Sequence, residues 1–437
     1  MTRLNQLSES AFLKLFMGFM VLCLLGAALC MSDRSGMLSG YGAILSSSCK
    51  PYTNYFAVGG RAATFLNMGL VGAFCLALFC AFGTVVNHVS VLAFLLSIGF
   101  SSWGIHVMNM LPGVCGVMLY CMVQKEKPSG LTNVMIFSSG VAPFISELAV
   151  RYPGHRDHIT VYGLLMAAVV GVLVGFFLPS GIVRAPTIHK GLNLYSAAVP
   201  VGLSAFLLYT ILYKIPGVAL PPSIGGLEVV SKASVNWFFI IMCGLCLLGA
   251  KLMGGDFDEY ADMIMAHRSD KGIAAGFGNR VFLMNVGVYG LFILLYYNFI
   301  NASFNGVTMG LIFCMLACCC SGSHPGNVWP IMVGYVASAV LFQGWAVVTG
   351  GTFDHNIQTQ TIVTGVCFAN GLSPITDKYG WKWGMIASAM HYCMVTTVST
   401  VHGGFCLYNG GLTAAMVCIL LEPVMERFSS RRTGTLV

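Results

Sequence analysis

The sequence predicts an all-α polytopic membrane protein in two homologous halves. Three observations predict it: too little charge for a water-exposed surface, charge-free runs several helix spans long, and an internal repeat. Of the 437 residues, 8% are charged and 57% hydrophobic, whereas soluble chains carry about 25% charged residues. No Asp, Glu, Lys or Arg occurs from 62 to 124 or from 281 to 353. At roughly 20 residues per spanning helix, each gap holds about three spans. The net charge of +7 is spread along loops, without a basic run that carries interleaved aromatics. That pattern reads as loop charge on the cytoplasmic side of a cell membrane, as in a multi-pass protein of a bacterial inner membrane, and not as a nucleic-acid footprint.

The first candidate span is 12–31. Its end, "GAALC", resembles a lipoprotein cleavage site, but bulky Leu29 precedes Cys30, so the span reads as uncleaved. Further spans follow at about 62–83, 88–105, 107–124, 159–180 and 195–213. A second series covers about 234–252, 280–300, 304–320, 326–345, 383–401 and 405–424. Two apolar stretches rich in Gly, Ser, Thr and Pro, about 130–147 and 356–375, suit re-entrant or broken helices. The expectation is about 10–12 transmembrane helices plus those two segments.

The repeat fixes the domain organisation. "HVMNMLPGVCG" (His106–Gly116) matches "HPGNVWPIMVG" (His324–Gly334), with His, Asn, Pro and Gly at equal spacing and an offset of 218 (324 − 106). The same offset pairs Asn67 with Asn285 and Gly72 with Gly290. "SGVAPFI" (Ser139–Ile145) resembles "NGLSPIT" (Asn370–Thr376), and "HKGLNLYS" (His189–Ser196) resembles "HGGFCLYN" (His402–Asn409). The halves are then 1–215 and 216–437, hinged at the Pro- and Gly-rich stretch Lys214–Lys232. Arg3 and Lys14 near one terminus, with Arg427, Arg431 and Arg432 near the other, favour both termini inside. That favours an even number of spans per half, hence parallel halves.

Candidate functional residues come from the repeated polar groups. Pro112 and Pro330 each follow an Asn by three residues and a His by six. A proline inside a span leaves an upstream carbonyl free, and paired breaks in two repeats often line a solute site. His106, Asn109, His324 and Asn327 are therefore the candidate lining of a pathway between the halves, with Asn67 and Asn285 in support. Kinked helices whose Asn side chains bond across an interface explain the same residues without a pathway. On the pathway reading, Asn109→Leu with Asn327→Leu leaves folding intact and abolishes uptake. His189, Tyr195, His402, Tyr408 and Asn409 stand at two further matched blocks that read as helix starts after glycine turns, candidates for the pathway entrances.

His391 and His402 lie eleven residues apart around apolar valines, which favours packing. Glu147 with Arg151, and Asp377 with Lys378, read as segment-end charges. "TFDHNIQTQT" (Thr352–Thr361) occurs in the second half alone, as a polar loop or an asymmetric cap. Most of the 17 cysteines, including the CxxC of Cys243 and Cys246, sit in apolar runs and read as small hydrophobes. No three-ligand metal spacing, cofactor motif or nucleophile–base arrangement is present, so neither enzyme activity nor a cofactor is expected.

Through "NMLPGVCGVMLY", "NGLSPITDKYGWKWG" and "HGGFCLYNGGLTAA", the chain resembles a family of uncharacterised bacterial membrane proteins over nearly its whole length. A weaker likeness is to urea transporters and the related membrane subunits of sodium-pumping redox complexes. "LYNGGLTAAMV" (Leu407–Val417) is similar to their aromatic-Asn-x-x-Leu helix, with Ser196 at the Asn position of the first half. That resemblance implies a duplicated channel-like fold, a narrow pore along the repeat interface, and a homo-oligomer. The function expected is a transporter or channel for a small polar solute in the lipid bilayer. The alternatives are an intramembrane redox or cofactor-binding subunit and a non-transporting scaffold.

Overall fold

The computed structural model describes residues 6–48, 53–153, 158–220, 230–266 and 271–433. Arg3 and part of the hinge (221–229) lie outside the described residues, as do the side chains of Arg431 and Arg432. Among the described residues the chain is helical, without strands, and eight helices are long and apolar enough to cross a membrane. It is a multi-pass membrane protein.

The first half contains α1 (Glu9–Cys30), α2 (Arg61–Ala81), α3 (His88–Phe100) and α4 (Val107–Gln124). It continues with α5 (Pro128–Phe137), α6 (Ala142–Val150), α7 (Val161–His189) and α8 (Ala198–Tyr209). The second half repeats this order: α9 (Lys232–Leu252), α10 (Asn279–Phe299), α11 (Gly306–Leu316) and α12 (Pro325–Thr349). It ends with α13 (Gln360–Ala369), α14 (Ser373–Tyr379), α15 (Trp381–Val398) and α16 (Asn409–Thr433). Helices α2, α3 and α4 each begin 218 residues before α10, α11 and α12. The two Gly/Ser/Pro-rich stretches are broken helices, as expected. A 3-10 turn, Ser138–Val141, separates α5 from α6, and another, Asn370–Leu372, separates α13 from α14.

At the centre lie α3 and α11, both buried almost throughout. Every residue from Ser90 to Phe100 is buried, and so is every residue of α11. A helix buried all round belongs to the interior of a bundle. The two run antiparallel: Ser102 Oγ donates to the Gly306 carbonyl at 2.6 Å, while the far end of α11 meets the start of α3, where Gly272 contacts His88. A Cβ at Gly99 would stand 2.5 Å from the Gly310 oxygen, and one at Gly310 2.2 Å from the Gly99 oxygen. Only glycines permit that approach.

This contact inverts the halves. Call the end of the bundle that holds the start of α1 the A end, and the other the B end. Helices α1 and α2 are antiparallel, with Gly18 beside Leu76 and Gly69 against Leu25, so α2 finishes at A, where Val86 N–H bonds Ser10 Oγ at 2.9 Å. Helix α10 starts at A, where Asn279 Nδ2 bonds the Leu7 carbonyl at 3.4 Å. Thus α2 runs B to A and its repeat α10 runs A to B. Helix α9 starts at B, where Val230 N–H bonds the Phe304 carbonyl at 2.7 Å; its repeat α1 starts at A. Equivalent helices are antiparallel throughout.

The parallel arrangement expected from the terminal charges is therefore corrected. Both described chain ends do lie at A, since α16 closes there through Lys190 and Glu422. Each half makes an odd number of passes, and two odd counts sum to an even one, so terminal charge alone does not separate the two cases. The segment Thr352–Thr361 lies over the B end, tied down by the Tyr392 hydroxyl, which donates to the His355 carbonyl.

Two expected outcomes follow from the inversion. Labels at Glu126 and Asp354 will be reached from opposite faces of an oriented vesicle; labelling from the same face would remove the inverted topology. Gly99→Val will lower the thermal midpoint in detergent by well over the 2–4 °C that about 1 kcal/mol produces in chains of 150–250 residues, because backbone and not a flexible side chain opposes the new methyls.

Candidate functional site

Helices α4 and α12 begin inside the protein. Residues 101–106, between α3 and α4, are all buried, so the first turn of α4 cannot be hydrated and must be capped. His106 and Asn109 do this reciprocally. The His106 N–H donates to Asn109 Oδ1 at 2.9 Å, and the Asn109 N–H donates to His106 Nδ1 at 3.3 Å. Asn109 Nδ2 also donates to the Gly104 carbonyl at 3.1 Å and to Ser146 Oγ at 3.0 Å. In the second half His324 N–H donates to Asn327 Oδ1 at 3.0 Å. Asn327 Nδ2 donates to the Gly322 carbonyl at 2.9 Å and to Asp377 Oδ2 at 3.0 Å. Asn67 Nδ2 brackets the first turn, donating to the Ser101 and Ile105 carbonyls at 2.6 and 2.8 Å. Asn285 brackets the second, donating to Cys319 and Ser323 at 2.8 and 2.9 Å.

The polar motif thus caps helices that start inside the molecule. Pro112 and Pro330 do not break α4 and α12, which run through them; the interruption lies in the turn before each helix. Pro112 instead packs on Gly171 of α7, and Pro330 faces Gly384 of α15. Nor do the two motifs face one another. Helix α4 packs chiefly on α7 and α12 on α15, each in its own half, and α4 and α12 share no packed interface. A pathway between the halves lined by His106, Asn109, His324 and Asn327, as their spacing suggests, is not the arrangement found.

The second pair of blocks does reach the repeat interface. His189 and His402 close helical segments, and the chain then dips inward before α8 and α16. The Leu194 N–H donates to the Gly371 carbonyl at 2.9 Å, and the Leu407 N–H to the Gly140 carbonyl at 3.1 Å. Each tyrosine therefore lies on the broken helix of the opposite half. The Tyr195 hydroxyl donates to Asn370 Oδ1 at 2.7 Å and stands 2.9 Å from the Cys314 carbonyl. Asn370 Nδ2 in turn donates to the Tyr289 hydroxyl at 2.8 Å and the Met315 carbonyl at 2.7 Å. Aromatic rings close the centre: Phe100 stacks on Phe368 at 5.9 Å and meets Tyr408 edge-on at 5.2 Å.

At the A end, within the first half and bordered by Ser321 of the second, is a cavity of about 290 Å3, its wall apolar at Val89, Leu92 and Ile182 and polar at His189, Asn193 and Ser196, with His88 and Phe137 also lining it. Its histidine has a defined tautomer. The Asn193 N–H donates to His189 Nδ1 at 3.4 Å, so the proton of the neutral ring is on Nε2, which donates to Ser196 Oγ at 2.9 Å. Beside the cavity Lys190 bonds Glu422 of the other half at 2.7 Å, which raises the Lys190 ammonium above its ordinary range. No charged side chain is among the residues that line the cavity. Asn193 and Ser321 escaped the repeat-based reading because neither is matched in kind by its counterpart, Cys406 or Trp103. His391 is a satisfied packing residue, its Nε2 2.8 Å from the Gly410 carbonyl and its Nδ1 against the Tyr335 hydroxyl. Cys243 packs on Gly290.

Fold and site define a multi-pass membrane protein of two inverted halves with a cavity beside their interface. The model of a family described as a protein of unknown function (DUF1576) matches residues 33–214 and 268–427, one region in each half and together well over half the chain. The chain belongs to that family. No curated protein and no solved structure matches it.

Replacing Asn109 and Asn327 together by Leu is expected to destabilise the fold, contrary to the pathway expectation. Each leaves buried carbonyl and amide groups unmade, at about 1–3 kcal/mol per group, so a large drop in the thermal midpoint is expected. A midpoint equal to the parent's would mean the caps are dispensable.

Proposed function

We propose that the protein carries a small polar solute across the membrane, entering between the two halves through the cavity at the A end. The single observation behind this is a cavity without charged side chains beside the interface of inverted halves, where His189, Asn193, Ser196 and Ser321 stand among apolar residues; transporters built from inverted repeats bind their substrates at the repeat interface. The polar groups of the wall are held in place: His189 bonds Ser196, and Asn193 Nδ2 donates to the Gly411 carbonyl of the other half at 2.9 Å, so a solute would meet ordered hydrogen-bonding groups. The aromatic layer of Phe100, Phe368, Tyr195 and Tyr408 closes the centre, which favours a carrier that changes shape over a standing pore.

Charge supports an orientation. Lys125, Lys127, Lys190, Lys251, Lys378 and Lys382 lie at the A end by the course of the chain. Arg34, Arg61, Arg151, Lys214 and Lys232 lie at B and include no comparable cluster. The positive-inside tendency makes A the cytoplasmic face, so the cavity faces the cytoplasm in this state.

In proteoliposomes screened with labelled small neutral and anionic solutes, uptake is expected for at least one class. Ser196→Val, which removes the acceptor for His189, should cut that uptake at least tenfold while leaving the thermal midpoint within a few degrees. Uptake unchanged in Ser196→Val would take the cavity out of the route.

A further inference from the structure

The residues that line the cavity have counterparts at the B end. The internal symmetry carries Val89, Phe137, His189, Ser196 and Ser321 onto Val307, Phe368, His402, Asn409 and Trp103. The two sets share their backbone setting, through the matched bonds of Leu194 and Leu407 described above, but differ in hydrogen bonding. His402 is fully buried, at 0% exposure. Its Nδ1 accepts the Cys406 N–H at 3.4 Å, as that of His189 accepts Asn193, so its proton is likewise on Nε2. Yet His402 Nε2 has no hydrogen-bond partner, whereas His189 Nε2 has Ser196. The Tyr408 hydroxyl, beside Ser139, makes no hydrogen bond of normal geometry, while its counterpart Tyr195 is held by Asn370. Buried polar groups are nearly always paired, and an unpaired donor costs about 1–3 kcal/mol.

What fills the B end is aromatic. The Trp103 indole, where A has Ser321, is 2% exposed and meets Phe100 at 5.4 Å. Tyr209 lies on Gly403, where A has Lys190 facing Glu422. The Tyr209 ring contact with Gly403 and the Trp103 ring contact with Phe100 are both aromatic packing.

We propose that His402 is the donor of a second solute site, opened when Trp103 and Tyr209 move aside, and that it binds a small solute through an acceptor oxygen such as a carbonyl or carboxylate. The site rests on the transport reading and extends it by naming a residue and the ligand chemistry. An Nε2–H held in that tautomer by a backbone amide donates and does not accept. A solute offering only donors makes no hydrogen bond to His402.

The test is diethylpyrocarbonate labelling of the purified full-length protein, read residue by residue by mass spectrometry. Acetamide serves as an acceptor-bearing probe and methylammonium as a donor-only one. His402 is expected to label slowly, at least fivefold faster in Trp103→Ala, with His391 unchanged as the buried reference. Acetamide should slow His402 labelling at least threefold, and methylammonium should not. If Trp103→Ala does not fold, the two probes on the unaltered protein decide. His402 that never labels, or equal effects of both probes, overturns the proposal. Protection of His189 without protection of His402 removes the second site and leaves the transport reading standing; protection of neither removes both.

Discussion

The backbone-to-backbone contact of α3 and α11 at Gly99 and Gly310 is the constraint on which the rest of the structure depends. Two short helices laid carbonyl against Cα give up side-chain packing at the contact and gain a closeness that no other residue allows. Thirteen residues make only about 20 Å of helix, so α3 ends while still inside the protein. A helix end in an apolar interior must have its groups satisfied by protein. The Asn67 and Asn285 brackets, the reciprocal cap of His106 with Asn109 and the bond of the His324 N–H to Asn327 answer that requirement. Short helical segments complete the seal: the Tyr55 N–H bonds the Ser102 carbonyl at B, and the Ile273 N–H bonds the Cys320 carbonyl at A.

Because the central pair is antiparallel, everything attached to it is inverted as well. Each half lends a tyrosine to the broken helix of the other, so the halves are interlocked. Against that symmetric frame the differences between counterparts carry meaning. Ser146 corresponds to Asp377, Ser139 to Asn370, and Ser321 to Trp103. The frame residues are kept in kind and the residues around the two ends of the interface are not. One end holds a cavity and a Lys190–Glu422 ion pair, the other a buried indole and a tyrosine on a glycine.

Much of the fold was legible beforehand. Charge-free runs of span length locate helices because lipid tolerates no unpaired backbone and little charge. The offset of 218 found the two halves, and the helix starts at 61 and 279, 88 and 306, and 107 and 325 obey it. The site was legible in part. His189, Tyr195, His402, Tyr408 and Asn409 do reach the repeat interface, as their repetition suggested. His106 and Asn109 were conspicuous for a different reason, since capping a buried helix needs the same polar side chains that would line a solute route, and spacing does not tell the two uses apart.

The sequence by itself determined that the chain spans a membrane, is doubled, and carries broken helices at matched places, because composition, period and repetition are properties of the chain. The tertiary structure alone decided that the halves are inverted, that the His-Asn-Pro motifs lie apart, and that one end of the interface borders a cavity while the other is filled. Those depend on which surfaces meet, and Gly99 finds Gly310 across more than two hundred residues of sequence that carry no record of the direction in which the two helices run.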